Sequence, residues 1–186
     1  MVQNVYNQDL EAILALLNGK KHLRSMAKNL DMPHATLLRK LNRLVEENAI
    51  GFFREGKNRI FFIKNTIQAR NYVYNAERYK LMRLVGNYPE LGIIIEDVIR
   101  KTEEKPIVLF GSYAKFNAKK DSDIDIYVET ESRKTKDLIE QIHSKIMVKI
   151  GIFDKKSPLI REIIKNHVIL KGVEEFYEKT GFFEEP

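Results

Sequence analysis

The sequence contains no cysteine and no tryptophan, and it holds only five prolines and nine glycines in 186 residues. Without cysteine it can form neither a disulfide framework nor a thiolate metal site, and a reducing cytoplasm is the expected setting. No run approaches the roughly 18 apolar residues that cross a bilayer. The N-terminus lacks a basic segment followed by an apolar stretch, so neither membrane insertion nor a secretory signal is expected. The longest early apolar run, Ala12 to Leu17, belongs to an amphipathic helix. Internal repeats and low-complexity segments are also missing. What is present is 44% hydrophobic and 31% charged, an ordinary balance for a globular chain. Its 10 Phe and 8 Tyr suffice to fill two compact cores.

The net charge of +6 is unevenly placed. Residues 1–64 hold 11 Lys and Arg against 6 Asp and Glu, whereas residues 65–186 hold 21 against 20. A basic first third beside a near-neutral remainder points to a polyanion partner for the first part alone. The same charges also fit a solvated basic surface.

Apolar spacing predicts a helix through Leu10, Ile13, Leu14 and Leu17, capped by Asn7 or Asp9 and ended by Asn18-Gly19. A short second helix covers His22 to Leu30. After the turn Asp31-Met32-Pro33, a third runs to about Asn48 and buries Leu37, Leu38, Leu41, Leu44 and Val45. Two short apolar runs follow, Ile50 to Phe53 and Arg59 to Ile63, around the turn sequence Glu55-Gly56-Lys57-Asn58. Three helices and a β-hairpin resemble the winged helix-turn-helix family over residues 1–64. That resemblance implies double-stranded DNA as partner and a role in transcription regulation. The third helix would enter the major groove, with His34, Thr36, Arg39, Lys40 and Arg43 outward between the buried leucines. Arg54, Lys57 and Arg59 would bring the wing to phosphates. A winged helix used for protein contacts fits the same pattern.

Residues 65–87 read as a connector helix with Ile67, Tyr72, Val73, Ala76, Tyr79, Leu81 and Met82 as apolar content. It could pack on either domain or form a homodimer contact. Its interleaved Tyr and Arg suit stacking on nucleic acid, or a packed helix with snorkelling Arg stems. A second helix from Pro89 to about Lys101 opens the last domain, residues 88–186.

The chemistry-bearing segment is GSYAKFNAKKDSDIDIYV, residues 111–128. Ile107 to Phe110 forms a buried strand that runs into Gly111-Ser112. Asp123 and Asp125 lie two apart on the next strand and share a face, with Ile124 and Ile126 opposite. Two adjacent carboxylates repel one another and suit a hard divalent cation such as Mg²⁺ or Mn²⁺. Gly111 lets a phosphate approach the backbone, the Ser112 hydroxyl can donate to it, and Lys115, Lys119 and Lys120 add positive charge between the two halves.

This segment resembles the signature of the DNA polymerase β nucleotidyltransferase superfamily, especially its minimal bacterial and archaeal members. Gly111, Ser112, Ala114, Ser122, Asp123, Ile124 and Asp125 carry the resemblance. It implies an α+β fold with a small mixed sheet flanked by helices. Asp123 and Asp125 would hold Mg²⁺ and act as catalytic residues, while Gly111, Ser112, Lys115 and Ser122 bind a nucleoside triphosphate. An acceptor hydroxyl of a protein or nucleic acid would attack the α-phosphorus, with pyrophosphate leaving and two metal ions stabilising the entering and leaving oxygens.

Two departures qualify this reading. Active members carry a third carboxylate on a later strand, but the candidate strand Lys145 to Phe153 has Lys149 where an acid is expected. Asp154, just beyond it, is a weak substitute. Phe116 stands where the family often has glycine. The alternative is therefore a catalytically impaired regulator, or an antitoxin-like protein beside a helical toxin partner, using the fold to sense nucleotide or bind a partner. The tail reads as helices, one through Leu159, Ile160, Ile163, Ile164 and Val168, the next after Gly172. His143 and His167 read as packed or surface residues.

Overall fold

The computed structural model describes residues 2–184, with side chains from Gln8 onward. The chain is mixed α and β and divides into two compact units, Met1–Tyr79 with Phe183–Pro186, and Lys80–Phe182.

In the first unit, α1 (Val2–Leu16) buries Leu10, Ala12, Ile13 and Leu16. It starts earlier than the expected cap. Asn7 lies inside it with its side chain outside the described residues, and Asp9 is fully buried in mid-helix. A two-residue strand, β1 (Lys21–His22), is too short to leave a periodic trace. It pairs antiparallel with a later strand before α2 (Leu23–Asn29) and α3 (His34–Glu46). Leu37, Leu41 and Leu44 form the buried stripe of α3, while Leu38 and Val45 are only partly covered. Asn48 stops the helix by taking φ +61. Its N–H donates to Val45 O (3.0 Å) and that of Ala49 to Leu44 O (3.0 Å), a Schellman arrangement that turns the chain into the sheet.

The hairpin consists of β2 (Ile50–Glu55) and β3 (Asn58–Ile63), paired Ile50↔Ile63 through Glu55↔Asn58. Gly56 opens its two-residue turn at φ +58, the position a type II′ turn reserves for glycine. The sheet order is β1-β3-β2.

The helix α4 (Ile67–Asn87) continues through Gly86. It buries Ala69, Val73 and Ala76 in the first unit and Leu84 in the core of the second, so the residues read as a connector are shared between the two cores. Phe183 belongs to the first unit, with its ring edge-on to Tyr74 (6.4 Å between centroids).

The second unit continues with α5 (Leu91–Lys101), β4 (Ile107–Leu109), the single turn α6 (Gly111–Ala114), β5 (Ile124–Glu129), α7 (Arg133–Glu140), β6 (Ile146–Gly151), α8 (Pro158–Lys165), β7 (Val168–Lys171) and α9 (Val173–Thr180). Its four strands are ordered β6-β5-β4-β7. β5 and β6 run parallel, and the other neighbours are antiparallel, giving the small mixed sheet that the sequence led us to expect. Ile107, Leu109, Ile124, Ile126, Val128, Ile146 and Val148 fill one face against Leu84, Leu91, Ile95, Val98 and Ile139. Tyr127, Phe153, Phe176 and His167 form an aromatic chain in contact with the other, with successive centroids 4.5 to 6.2 Å apart.

One tail expectation is corrected. Val168 begins strand β7 rather than continuing a helix. The helix ends at Lys165 because Asn166 turns extended, and Val168-Ile169-Leu170 then supplies a buried apolar run beside β4. Among the described residues no helix is long and apolar enough to cross a membrane.

Candidate functional site

The site in the second unit is built where β4 ends beside β5. Ile124, Ile126 and Val128 are buried in the core, so strand alternation sends Asp125 to the opposite face with Tyr127 and Glu129. Phe110 donates its N–H to Asp125 O (2.9 Å), tying the bend after β4 to β5. Gly111 then adopts φ +72 directly against the Asp125 carboxylate. A Cβ at this position would fall on Asp125 Oδ2, 3.1 Å from Cγ and 3.3 Å from Cβ. Both the backbone conformation and the close approach thus require glycine. The first N–H groups of α6 belong to this same bend and have no partner within the helix.

Asp123 stands one residue before β5 and is exposed. Partial burial, and then the negative charge of Asp123, push the Asp125 carboxyl above the usual carboxylate range, while the positive charge of Lys149 acts in the opposite direction. Neither aspartate side chain forms a hydrogen bond or ion pair with a described residue. A partly buried carboxylate held at a glycine bend, with a second beside it, fits an oxygen-coordinated divalent cation.

The remaining expected residues are placed differently from one another. Ser112 is half-buried in the first turn of α6. Lys115 points to α8, where its ammonium meets Glu162 Oε1 at 2.6 Å and holds that carboxyl below its usual range. The Ser122 hydroxyl accepts from Lys119 N–H (2.8 Å) and its own N–H donates to Lys119 O (3.0 Å), closing the loop before Asp123. The structure therefore brings Gly111, Asp125 and Asp123 together and occupies Lys115 and Ser122 with protein partners.

Asp154 does not join the pair. The β5–β6 register sets Asp125 opposite Met147 and Glu129 opposite Gly151, so Asp154 lies beyond the far end of the sheet. There it accepts from Lys156 N–H (2.9 Å). Among the described residues no group of three or more His, Asp or Glu is disposed to hold a metal. Phe116, at φ +56, occupies the left-handed region in which glycine is at ease, and the Arg83 guanidinium covers its ring at 5.3 Å.

Residues 94–175 match the family model described as Polymerase beta, Nucleotidyltransferase. This chain therefore carries a nucleotidyltransferase-like domain. The matched span contains Gly111, Ser112, Asp123, Asp125 and Lys149, and starts within α5. No curated protein and no solved structure matches the chain.

A second concentration of chemistry lies in the first unit. His34 and Arg39 are exposed on α3 and Thr36 is half-buried; Arg54 and Lys57 are exposed on the hairpin. Arg59 is part-covered, its guanidinium 5.0 Å from the centre of the Phe52 ring and 3.4 Å from Asn42 Oδ1. Two residues expected to face outward do not do so freely. Lys40 is 5% exposed, and its ammonium lies 3.6 Å from the buried Asp9. Arg43 forms an ion pair with the same carboxylate and approaches Glu47 at 3.8 Å. The physical reason is the position of Asp9 on the inner face of α1, where a carboxylate must find cations.

Between α2, α3 and the hairpin lies a groove of about 590 Å³ whose lining includes His22, Arg24, His34, Lys57 and Arg59 and no acidic residue. His22 and Arg24 are additions to the residues the sequence singled out. Only the pairing of β1 with β3 carries them to the hairpin, and a two-residue strand gives no pattern from which to foresee it.

Proposed function

We propose that this protein is a DNA-binding protein whose nucleotidyltransferase-like domain binds a nucleoside triphosphate with a divalent cation and transfers a nucleoside monophosphate to a protein or nucleic-acid acceptor. The observation that carries the nucleotide half is the contact between the Gly111 bend and the Asp125 carboxylate, with Asp123 beside it. Asp123 and Asp125 would hold Mg²⁺ or Mn²⁺, which when bound would offset phosphate charge and polarise the phosphorus. The backbone at Gly111 and the Ser112 hydroxyl would steady the phosphate chain. Lys115 would have to leave Glu162 to reach it.

The DNA half rests on the first unit, read as a winged helix-turn-helix. α3 would present His34, Thr36 and Arg39 to base edges, and the hairpin would set Arg54, Lys57 and Arg59 on phosphates. The groove, lined by His22, Arg24, Lys57 and Arg59 with Glu55 4.0 Å from His22, would add basic side chains along the DNA backbone. Lys40 and Arg43 would act mainly through Asp9, by holding α3 in place.

A second reading is favoured by one observation, the absence of a third carboxylate near Asp125 among the described residues. On that reading the domain binds nucleotide as a sensor, or takes up a helical partner, and transfer is slow or lost. Incubation with Mg²⁺ and each α-labelled NTP separates the two. Label passed to an acceptor and abolished by Asp123→Ala supports transfer. Nucleotide retained without transfer supports the sensor. For the DNA half, Arg39→Ala and Lys57→Ala should each weaken duplex binding, and Lys57→Ala should lower the salt slope by about one. Unchanged affinity in both variants would refute the docking.

A further inference from the structure

The nucleotide site has a cation of its own. β6 lies parallel to β5 with Asp125 opposite Met147 and Tyr127 opposite Lys149. Ile146 and Val148 enter the core, so Met147 and Lys149 project on the face that carries Asp125. Lys149 is exposed and forms no hydrogen bond or ion pair with a described residue, although its charge reaches Asp125. Of the other lysines around the site, Lys115 is held by Glu162 and Lys145 by the carbonyl of Lys120, while Lys119 and Lys120 are exposed on the loop before Asp123.

A pair of divalent cations held about 3.5–4 Å apart concentrates four positive charges, which bridging carboxylates must offset. This site offers two carboxylates and sets an ammonium in reach of one of them. Adding a second divalent ion beside Asp125 would bring it against Lys149 with no third acid to compensate. We infer that Lys149 stands in for the second metal ion: the site takes one divalent cation, between Asp123 and Asp125, and Lys149 supplies the other positive charge to the phosphate chain of the bound nucleotide. This rests on the nucleotide reading above and deepens it. It also places Lys149 where a third carboxylate would be needed for a second metal.

The test is equilibrium dialysis of the full chain against Mn²⁺ and a mixture of the four α,β-imido nucleoside triphosphates, counting bound Mn²⁺ per bound nucleotide. Wild type should retain one Mn²⁺ per nucleotide. Lys149→Glu, which provides a third carboxylate on the exposed face, should retain two. Lys149→Met should keep the count at one and weaken nucleotide binding about tenfold, the loss expected for one charge-assisted contact. Two Mn²⁺ per nucleotide in wild type, or Lys149→Met binding as tightly as wild type, overturns the role of Lys149 while leaving nucleotide binding intact. Retention of no nucleotide by any of the three forms overturns both this inference and the reading beneath it.

Discussion

Replacing Gly111 by alanine tests the architecture of the site with a single methyl group. At φ +72 a non-glycine residue costs roughly 1–2 kcal/mol. The new Cβ also falls on Asp125 Oδ2. Rotation of the carboxylate alone does not relieve this, because Cγ at 3.1 Å and Cβ at 3.3 Å are close as well, so the whole side chain must move. For a unit near 100 residues, a loss of 1 kcal/mol lowers the melting temperature by about 4–8 °C. The loss of divalent-cation affinity should be larger than that stability change suggests, on the order of 10–100-fold, as for other changes that displace a metal ligand without removing it. Isothermal titration with Mn²⁺ measures the second effect and thermal unfolding the first. Gly86→Ala is the control. Gly86 lies inside α4 with nothing within 4 Å of a built Cβ, so the same substitution there should stabilise by roughly 0.5–1 kcal/mol and leave binding alone. If Gly111→Ala binds Mn²⁺ as wild type does, Asp125 is not a ligand set by the glycine bend, and the nucleotide site as drawn is wrong.

Asp9→Asn should destabilise the first unit by about 2–3 kcal/mol, read from thermal unfolding, because it removes the buried carboxylate charge that offsets the nearly buried Lys40 and the half-covered Arg43; an unchanged melting temperature would refute the buried cluster. The upward shift of the Asp125 carboxyl has two consequences of definite sign. The folded state binds this proton more tightly than the unfolded chain, so the charged carboxylate lowers stability above the folded value, and that cost is relieved as pH falls through it. Asp125→Asn should therefore raise the melting temperature of the metal-free protein at pH 7 while abolishing Mn²⁺ binding, and a lower melting temperature would count against burial as the cause. Because the cation needs the ionised form, Mn²⁺ affinity in wild type should weaken with falling pH at a midpoint above the ordinary aspartate range; a midpoint at or below that range would contradict it.

Local chemistry in the chain was enough to locate the Asp-Ile-Asp segment, the Gly-Ser bend, the three helices and the hairpin. Each of these is written in neighbours a few residues apart, by alternation in β5, by the leucine spacing of α3 and by Gly56 in its turn. What lies far apart in sequence needed the fold. The placement of Lys149 on the Asp125 face depends on the register of two parallel strands, and that of Asp154 beyond the sheet end depends on the same register. Lys40 and Arg43 looked solvent-facing because their helix shows a clean apolar stripe, and only the packing of α1 brings the buried Asp9 against them. β1 and β7 escaped the pattern because two or four residues carry too little periodicity to separate strand from helix. Short-range patterns thus determined which residues can do chemistry, whereas long-range pairing decided which of them meet, because charge and burial depend on distances that sequence separation does not encode.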